Sequence, residues 1–131
     1  MKYSLGKEER LKSRKLTEQL FRSGKSFTVF PIRTYYQFND IADRKFPVQA
    51  GVSASGKIFR KAVQRNRIKR LLRETYRLQK NKLYEACEEN KKQLSLFFVY
   101  IDKTLPEYEP LKEKMSLILE KLSDLVRENR A

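Results

Sequence analysis

The sequence contains no histidine and only one cysteine, Cys87. A single cysteine can form neither an internal disulfide nor a cysteine-based metal site within one chain. Without histidine, the chain lacks the commonest general base and the commonest zinc ligand. The two-histidine chemistry of many small ribonucleases is therefore excluded, and any hydrolysis must use carboxylates with metal ions or come from a partner. These residues alone leave both possibilities open.

Long apolar runs are also missing. No segment reaches the length of a membrane span, and no short apolar stretch with a small-residue cleavage site follows Met1. We therefore expect a cytoplasmic protein with no membrane association. The 131 residues fit one domain, and a hydrophobic content of 40% is enough for a modest core.

Positive charge is abundant and unevenly distributed. The net charge is +14; residues 1–84 carry 22 Lys and Arg against 6 Asp and Glu, whereas residues 85–131 carry 8 against 10. Such an imbalance indicates a polyanionic partner, with nucleic acid favoured over a membrane surface. Residues 1–12 are expected to be a flexible basic arm that docks on RNA, or alternatively a solubilising tail.

The hydrophobic pattern predicts an α+β protein with the element order αβββαβα, in which helices pack on a four-stranded sheet. Ser13 can cap a first helix that stops before Gly24. Strands over 32–38 and 46–55 are expected to form an antiparallel pair, joined by a polar turn. The predicted elements are helices over 13–22, 62–87 and 111–126 and strands over 27–30, 32–38, 46–55 and 94–101.

The segment AVQRNRIKRLLRE, residues 62–74, has the apolar period of a helix but carries cations over its whole exposed side. Between Lys57 and Arg73 there are eight Lys and Arg and no acid. Like charges four residues apart, such as Arg65 and Lys69, repel each other by a few tenths of a kcal/mol, and a solvated helix normally alternates their sign. The alternative is an ordinary solvated face, but a phosphate backbone would neutralise this repulsion, so the pattern favours nucleic-acid binding.

The stretch KAVQRNRIKRLLRE, with Arg65, Asn66 and Arg67 at its centre, resembles the signature of the bacterial ribonuclease P protein component. The opening RLKSRKLTEQLFRSGKSF, the GVSAS strand and the amphipathic tail follow in the same order as in that family. The resemblance implies an αβββαβα two-layer sandwich with a left-handed βαβ crossover. It also implies a monomeric protein subunit, one per RNA, of an endonuclease that removes the 5′ leader of precursor tRNA. The RNA subunit would then be the catalyst, using Mg²⁺ held mainly by that RNA and the substrate.

The resemblance also implies roles for individual residues. The residues expected to bind the catalytic RNA are Lys57, Lys61, Arg65, Asn66, Arg67, Lys69, Arg70 and Arg73. Those expected to bind the single-stranded leader are Arg14, Phe21, Tyr35 and Ser53. Phe21 and Tyr35 can alternatively be core residues. Thr17 stands where many members have a second aromatic, so the stacking surface is either smaller or rebuilt from another residue.

Two other functions are compatible with the residues alone. One is a ribosomal or assembly-type RNA-binding protein without hydrolytic activity. The other is a stand-alone nuclease, which the sequence disfavours because no acid/base constellation is visible. Purified protein mixed with precursor tRNA, with and without the ribonuclease P RNA, separates the three.

Overall fold

The computed structural model describes residues 5–6, 9–39 and 46–128. In this part of the chain, four helices and four strands follow one another in the order αβββααβα. The helices are α1 (Arg14–Ser23), α2 (Ala62–Gln79), α3 (Asn81–Glu89) and α4 (Tyr108–Glu128). The strands are β1 (Lys25–Val29), β2 (Ile32–Asn39), β3 (Val48–Ala54) and β4 (Gln93–Tyr100). The α+β class and the four-stranded sheet are as predicted.

Helix α1 begins and ends where its local sequence signals predict. The Ser13 hydroxyl accepts a hydrogen bond from the Leu16 amide at 3.2 Å and caps the first turn. At the other end the Gly24 amide donates to the Leu20 carbonyl. A Cβ atom at position 24 would lie 2.5 Å from that carbonyl oxygen, so glycine is needed here for the close approach.

The sheet has the strand order β1-β2-β4-β3, with β4 antiparallel to β2 and parallel to β3. The predicted antiparallel pairing of residues 32–38 with 46–55 is wrong, because β4 lies between these two strands. The physical reason is the composition of β4, which is apolar on both faces and therefore takes a central position with a neighbour on each side. Of the polar turn predicted over 39–45, Asn39 is instead the last residue of β2, and residues 40–45 lie outside the described residues.

The parallel pair β3 and β4 is joined through α2 and α3, which form the helical part of a βαβ crossover. The left-handedness of this crossover stays a prediction. The single helix predicted over 62–87 is wrong in one respect, because it is divided at Lys80 between α2 and α3. No glycine or proline marks this break in the sequence. Instead, Lys80 is buried and its side chain contacts the N-terminal segment.

The main core lies between one face of the sheet and helices α2, α3 and α4. Side chains alternate along a strand, so Tyr36 and Phe98 point into this core while Tyr35 and Phe97 lie on the opposite face. Helix α1 packs on that opposite face, where Phe21 contacts both rings. Within the described ranges, none of the helices combines the length and apolar character needed to cross a membrane.

The N-terminal segment, residues 9–12, lies against the outer edge of β3. Arg10 forms a parallel bridge with Ala50, and the Leu11 amide donates to the Ala50 carbonyl at 3.0 Å. The segment thus covers the edge of β3, a surface that would otherwise present unpaired backbone groups. This differs from the flexible arm expected over 1–12: residues 9–12 are docked, and residues 1–4 and 7–8 lie outside the described residues. Tertiary contacts with α2 and α3, which no local pattern reveals, account for the difference.

Candidate nucleic-acid interface

Helix α2 has one buried face and one cationic face. Its buried residues are Ile68, Leu72, Thr75 and Tyr76. The residues Asn66, Arg67, Arg70 and Arg73 are exposed on the other side, with Lys69 partly exposed beside them. Both faces were predicted from the helical period, since residues three and four apart share a face.

The cations of this face have no carboxylate partners among the described residues. The ion pairs seen among the described residues join Arg77 to Glu74, Lys80 to Glu9 and, on α4, Arg127 to Asp124. Glu74 lies four residues after Arg70, but its carboxylate is held by Arg77. The acids that the structure describes therefore leave Arg67, Lys69, Arg70 and Arg73 uncompensated, as an anion-binding surface requires.

Arg65 differs from the other arginines because it holds the loop before α2. Its Nη1 donates to the carbonyls of Phe59 and Arg60, both at 2.8 Å. Phe59 is buried in the main core, so the loop is anchored at the start of the helix. Lys57 and Lys61 are exposed on this loop. One guanidinium nitrogen of Arg65 is thus occupied within the chain, and its RNA contact stays a prediction.

A groove of about 470 Å³ runs between α2 and the N-terminal segment. Its lining residues are Leu5, Arg10, Asn66, Lys69, Arg70, Arg73, Glu74 and Arg77. Partial burial, together with the nearby charge of Arg10, lowers the pKa of Arg73 below its ordinary value. A guanidinium still remains protonated at neutral pH, so the groove concentrates positive charge.

Three aromatic rings cluster on the opposite face of the sheet, under α1. The ring centroids of Phe21 and Tyr35 are 4.6 Å apart and those of Phe21 and Phe97 are 5.0 Å apart, both in edge-to-face geometry. The Phe21 side chain is 44% exposed, and the guanidinium carbon of Arg33 lies 5.5 Å from the Tyr35 ring centroid. An exposed aromatic surface next to a cation is the combination that holds single-stranded nucleic acid.

Phe97 is the residue that sequence reasoning missed. The sequence LSLFFVYI, residues 94–101, is apolar on both faces of its strand, so periodicity does not single out Phe97. The available signal is that Phe97 alternates with Leu96 and Phe98 and therefore lies on the opposite face. It stands between Tyr35 and Gly51 in the register of the sheet. A Cβ atom at Gly51 would lie 2.6 Å from the Phe97 ring, so this glycine makes room for it. Phe97 supplies a second ring in contact with Phe21, where Thr17 supplies none.

Two further predicted leader-binding residues are Ser53, which lies on β3, and Arg14, which lies on α1. Ser53 on β3 and Arg33 on β2 are both aligned with Val99 on β4, so the three side chains lie on the same face of the sheet. Arg14 is exposed at the first turn of α1. The Thr17 hydroxyl donates to the Ser13 carbonyl at 2.9 Å.

A catalytic centre of the protein's own is not apparent in the part of the chain that the structure describes. Those residues include no group of three or more His, Cys, Asp and Glu side chains able to hold a metal ion. Cys87 is buried, and burial raises the pKa of its thiol to about 12, which leaves it protonated and unreactive at neutral pH.

The sequence is similar to a known protein family over most of its length. The model of the family named Ribonuclease P matches residues 5–123. A protein named "Ribonuclease P protein component" from Porphyromonas gingivalis is 34% identical over 113 residues, which cover 86% of this chain and 82% of the relative. The protein of the same name from Chlorobium phaeobacteroides is 35% identical over 133 aligned positions, covering 93% of this chain and 91% of the relative.

The fold of this chain is similar to those of solved protein structures. A mutant of the Staphylococcus aureus RNase P protein matches with a TM-score of 0.68 and 19% identity, covering 88% of each chain. The RNase P protein from Thermotoga maritima matches with a TM-score of 0.68 and 22% identity, covering 86% of this chain and 96% of that one. At these identities, the likeness speaks for the fold alone.

Proposed function

The chain belongs to the ribonuclease P protein component family, and on this premise we propose how it contributes to ribonuclease P, the ribonucleoprotein endonuclease that removes the 5′ leader of precursor tRNA. Catalysis is the task of the RNA subunit, and the protein alone is inactive. The protein binds that RNA through α2 and binds the leader through the aromatic face. One protein acts with one RNA, in the cytoplasm.

The observation that carries this proposal is the uncompensated charge of α2. Lys69, Arg70 and Arg73 line one groove, and Arg67 is exposed on the same helix. None of these four cations has an acidic partner among the described residues. Each phosphate that such a cation neutralises releases condensed counterions from the RNA, which makes binding favourable and strongly dependent on salt. Lys57, Lys61 and Arg65, on the loop and first turn, extend the same surface toward β3.

The aromatic face supports a second, separate contact. Phe21 presents an exposed ring, and Tyr35 and Phe97 fix its orientation from below. Stacking of one base on such a ring contributes about 1–3 kcal/mol and tolerates any sequence, as a leader-binding site requires. Arg14 on α1 and Ser53 on β3 are positioned to contact the leader backbone.

The Mg²⁺ ions of the reaction are assigned to the RNA subunit and the substrate. Mg²⁺ binds to proteins through carboxylates, usually completed by substrate phosphates and water. The described residues include no carboxylate cluster suited to this task. The protein's contribution in this scheme is to neutralise phosphates and to position the leader.

The test is reconstitution with the ribonuclease P RNA of the same organism. Labelled precursor tRNA is incubated with protein alone, with RNA alone and with both, at low Mg²⁺ concentration. We expect cleavage to be stimulated only when protein and RNA are combined. Cleavage by the protein alone would indicate a nuclease, whereas RNA binding without stimulation would indicate an assembly-type RNA-binding protein.

A further inference from the structure

Two grooves of the protein meet at the docked N-terminal segment. The first is the cationic groove along α2. The second, of about 300 Å³, lies at the edge of β3 and is lined on one side by Gly51 and Phe97. Arg10 and Arg73 line both grooves, so these two cations stand at the junction between the basic helix and the aromatic face.

We propose that Arg10 and Arg73 form a binding site for one RNA phosphodiester at this junction, and that the buried Glu9 carboxylate positions Arg10 for it. The site rests on the proposed function and extends it to the N-terminal segment. Arg10 and Arg73 line the same two grooves, and the Glu74 carboxylate in the first groove is paired with Arg77. Two guanidinium groups without carboxylate partners of their own are stabilised when a phosphate oxygen approaches both. Partial burial and, secondly, the nearby positive charge of Arg10 lower the pKa of Arg73, as expected for two cations in one groove.

Arg10 is held in place from two sides. Its backbone is bridged to Ala50 at the edge of β3. The preceding residue, Glu9, is buried and its carboxylate contacts the Lys80 ammonium. The same carboxylate accepts hydrogen bonds from the Tyr84 hydroxyl at 2.8 Å and from the Gly6 amide at 2.9 Å.

The consequence of this arrangement is that Arg10 is exposed but its backbone is fixed. A cation on a free tail loses conformational entropy when it binds, whereas a fixed one has already lost most of it. Glu9 acts on RNA only through Arg10, so it is a positioning residue.

The test measures the salt dependence of binding to the ribonuclease P RNA for wild type and Arg10→Gln. We expect Arg10→Gln to reduce the steepness of the plot of log affinity against log salt concentration by about 0.7–0.9. If wild type and variant bind equally at 1 M salt, this difference makes the binding of the variant roughly five- to eightfold weaker at 0.1 M salt. Arg10→Lys retains the charge and is expected to restore the slope. The matched control is Arg127→Gln, which removes the same residue type and charge from α4, outside both grooves.

Glu9→Gln separates positioning from simple charge. It makes the protein one charge more positive, so charge counting alone predicts tighter RNA binding. Positioning predicts the opposite, a shallower slope, and no additional loss when Glu9→Gln is combined with Arg10→Gln. Circular dichroism is used to choose conditions in which each variant is folded. If Glu9→Gln is unfolded under all of them, Arg10→Gln still tests the site.

The phosphate can belong to the catalytic RNA or to the leader, and a second measurement distinguishes them. A slope that falls with the RNA alone assigns the phosphate to the catalytic RNA. A slope that falls only when the holoenzyme binds precursor tRNA, and not leaderless tRNA, assigns it to the leader. An unchanged slope for Arg10→Gln in both arms overturns the inference, whereas a wild-type protein that does not bind this RNA overturns the proposed function itself.

Discussion

We expect the free energy of unfolding to depend strongly on the buried ion pair between Glu9 and Lys80. Their side chains are 3% and 2% exposed, so both charges lie in the protein interior. Glu9→Gln keeps the shape of the side chain but leaves the Lys80 ammonium facing a neutral amide. Removal of one partner from a buried ion pair costs about 3–5 kcal/mol, because the remaining charge stays in the protein interior after losing the carboxylate that offset its desolvation.

Such a loss is large compared with the free energy of unfolding of a typical domain, about 5–15 kcal/mol. It can be measured by urea unfolding of the free protein, followed by circular dichroism at pH 7. The free energy of unfolding of a small protein falls by about 1–3 kcal/mol per molar urea. At the middle of that range, a loss of about 4 kcal/mol lowers the unfolding midpoint by about 2 M.

A second substitution tests the cause of the loss. Lys80→Met, added to Glu9→Gln, removes the second charge and keeps a long unbranched side chain. Because an apolar replacement of a buried ion pair is often neutral for stability, we expect the double variant to recover most of the unfolding free energy. A Glu9→Gln protein as stable as wild type, or a double variant no more stable than Glu9→Gln, would refute this account.

The same pair gives the fold a dependence on acid pH. Burial alone raises the pKa of Glu9, but hydrogen bonds from Lys80, Gly6 and Tyr84 outweigh it and hold the pKa below its ordinary value of 4.5. A lowered pKa contributes stability above the unfolded value, and this contribution is lost as pH falls through the folded value. The difference in unfolding free energy between wild type and Glu9→Gln should therefore be full above about pH 4.5 and shrink below it.

Three further predictions concern RNA binding and the aromatic face. Arg67→Ala and Arg70→Ala should each lower the log–log salt slope of binding to the ribonuclease P RNA by about 0.7–0.9; an unchanged slope in both would exclude phosphate contacts there. Phe21→Ala and Tyr35→Ala should weaken binding of precursor tRNA more than that of leaderless tRNA, by about 1–3 kcal/mol per lost stack, and equal losses for both substrates would point to a folding defect. Gly51→Ala forces a methyl group against the neighbouring ring, so it should cost about 1–3 kcal/mol in urea unfolding, and full stability would contradict the close approach.

Helices α1 and α2 illustrate how much of this protein is determined locally. The bounds of α1 depend on Ser13 and Gly24, which contact residues within four positions of themselves. The two faces of α2 follow from its period, because apolar and cationic residues alternate with the turn of the helix. The cationic face of α2 could therefore be predicted residue by residue, whereas its contact with RNA stays a prediction.

The aromatic half could be predicted only in part. Phe21 and Tyr35 were identified through the family resemblance, while Phe97 was not distinguished within a strand that is apolar on both faces. Its role depends on the register that aligns it with Tyr35 and Gly51. Register between strands is a property of long-range pairing, which the pattern of one strand does not contain.

By itself, the sequence determined the caps of α1, the amphipathic helices, the concentration of positive charge and the family. Only the tertiary structure decided that β4 separates β2 from β3, that the long helix divides at Lys80, and that the N-terminal segment docks. The hydrogen bond between Lys80 and Glu9 joins residues 71 positions apart, whereas the Ser13 cap joins residues three apart. Contacts of the first kind form only when the whole chain is folded, so they leave no periodic signal in the sequence.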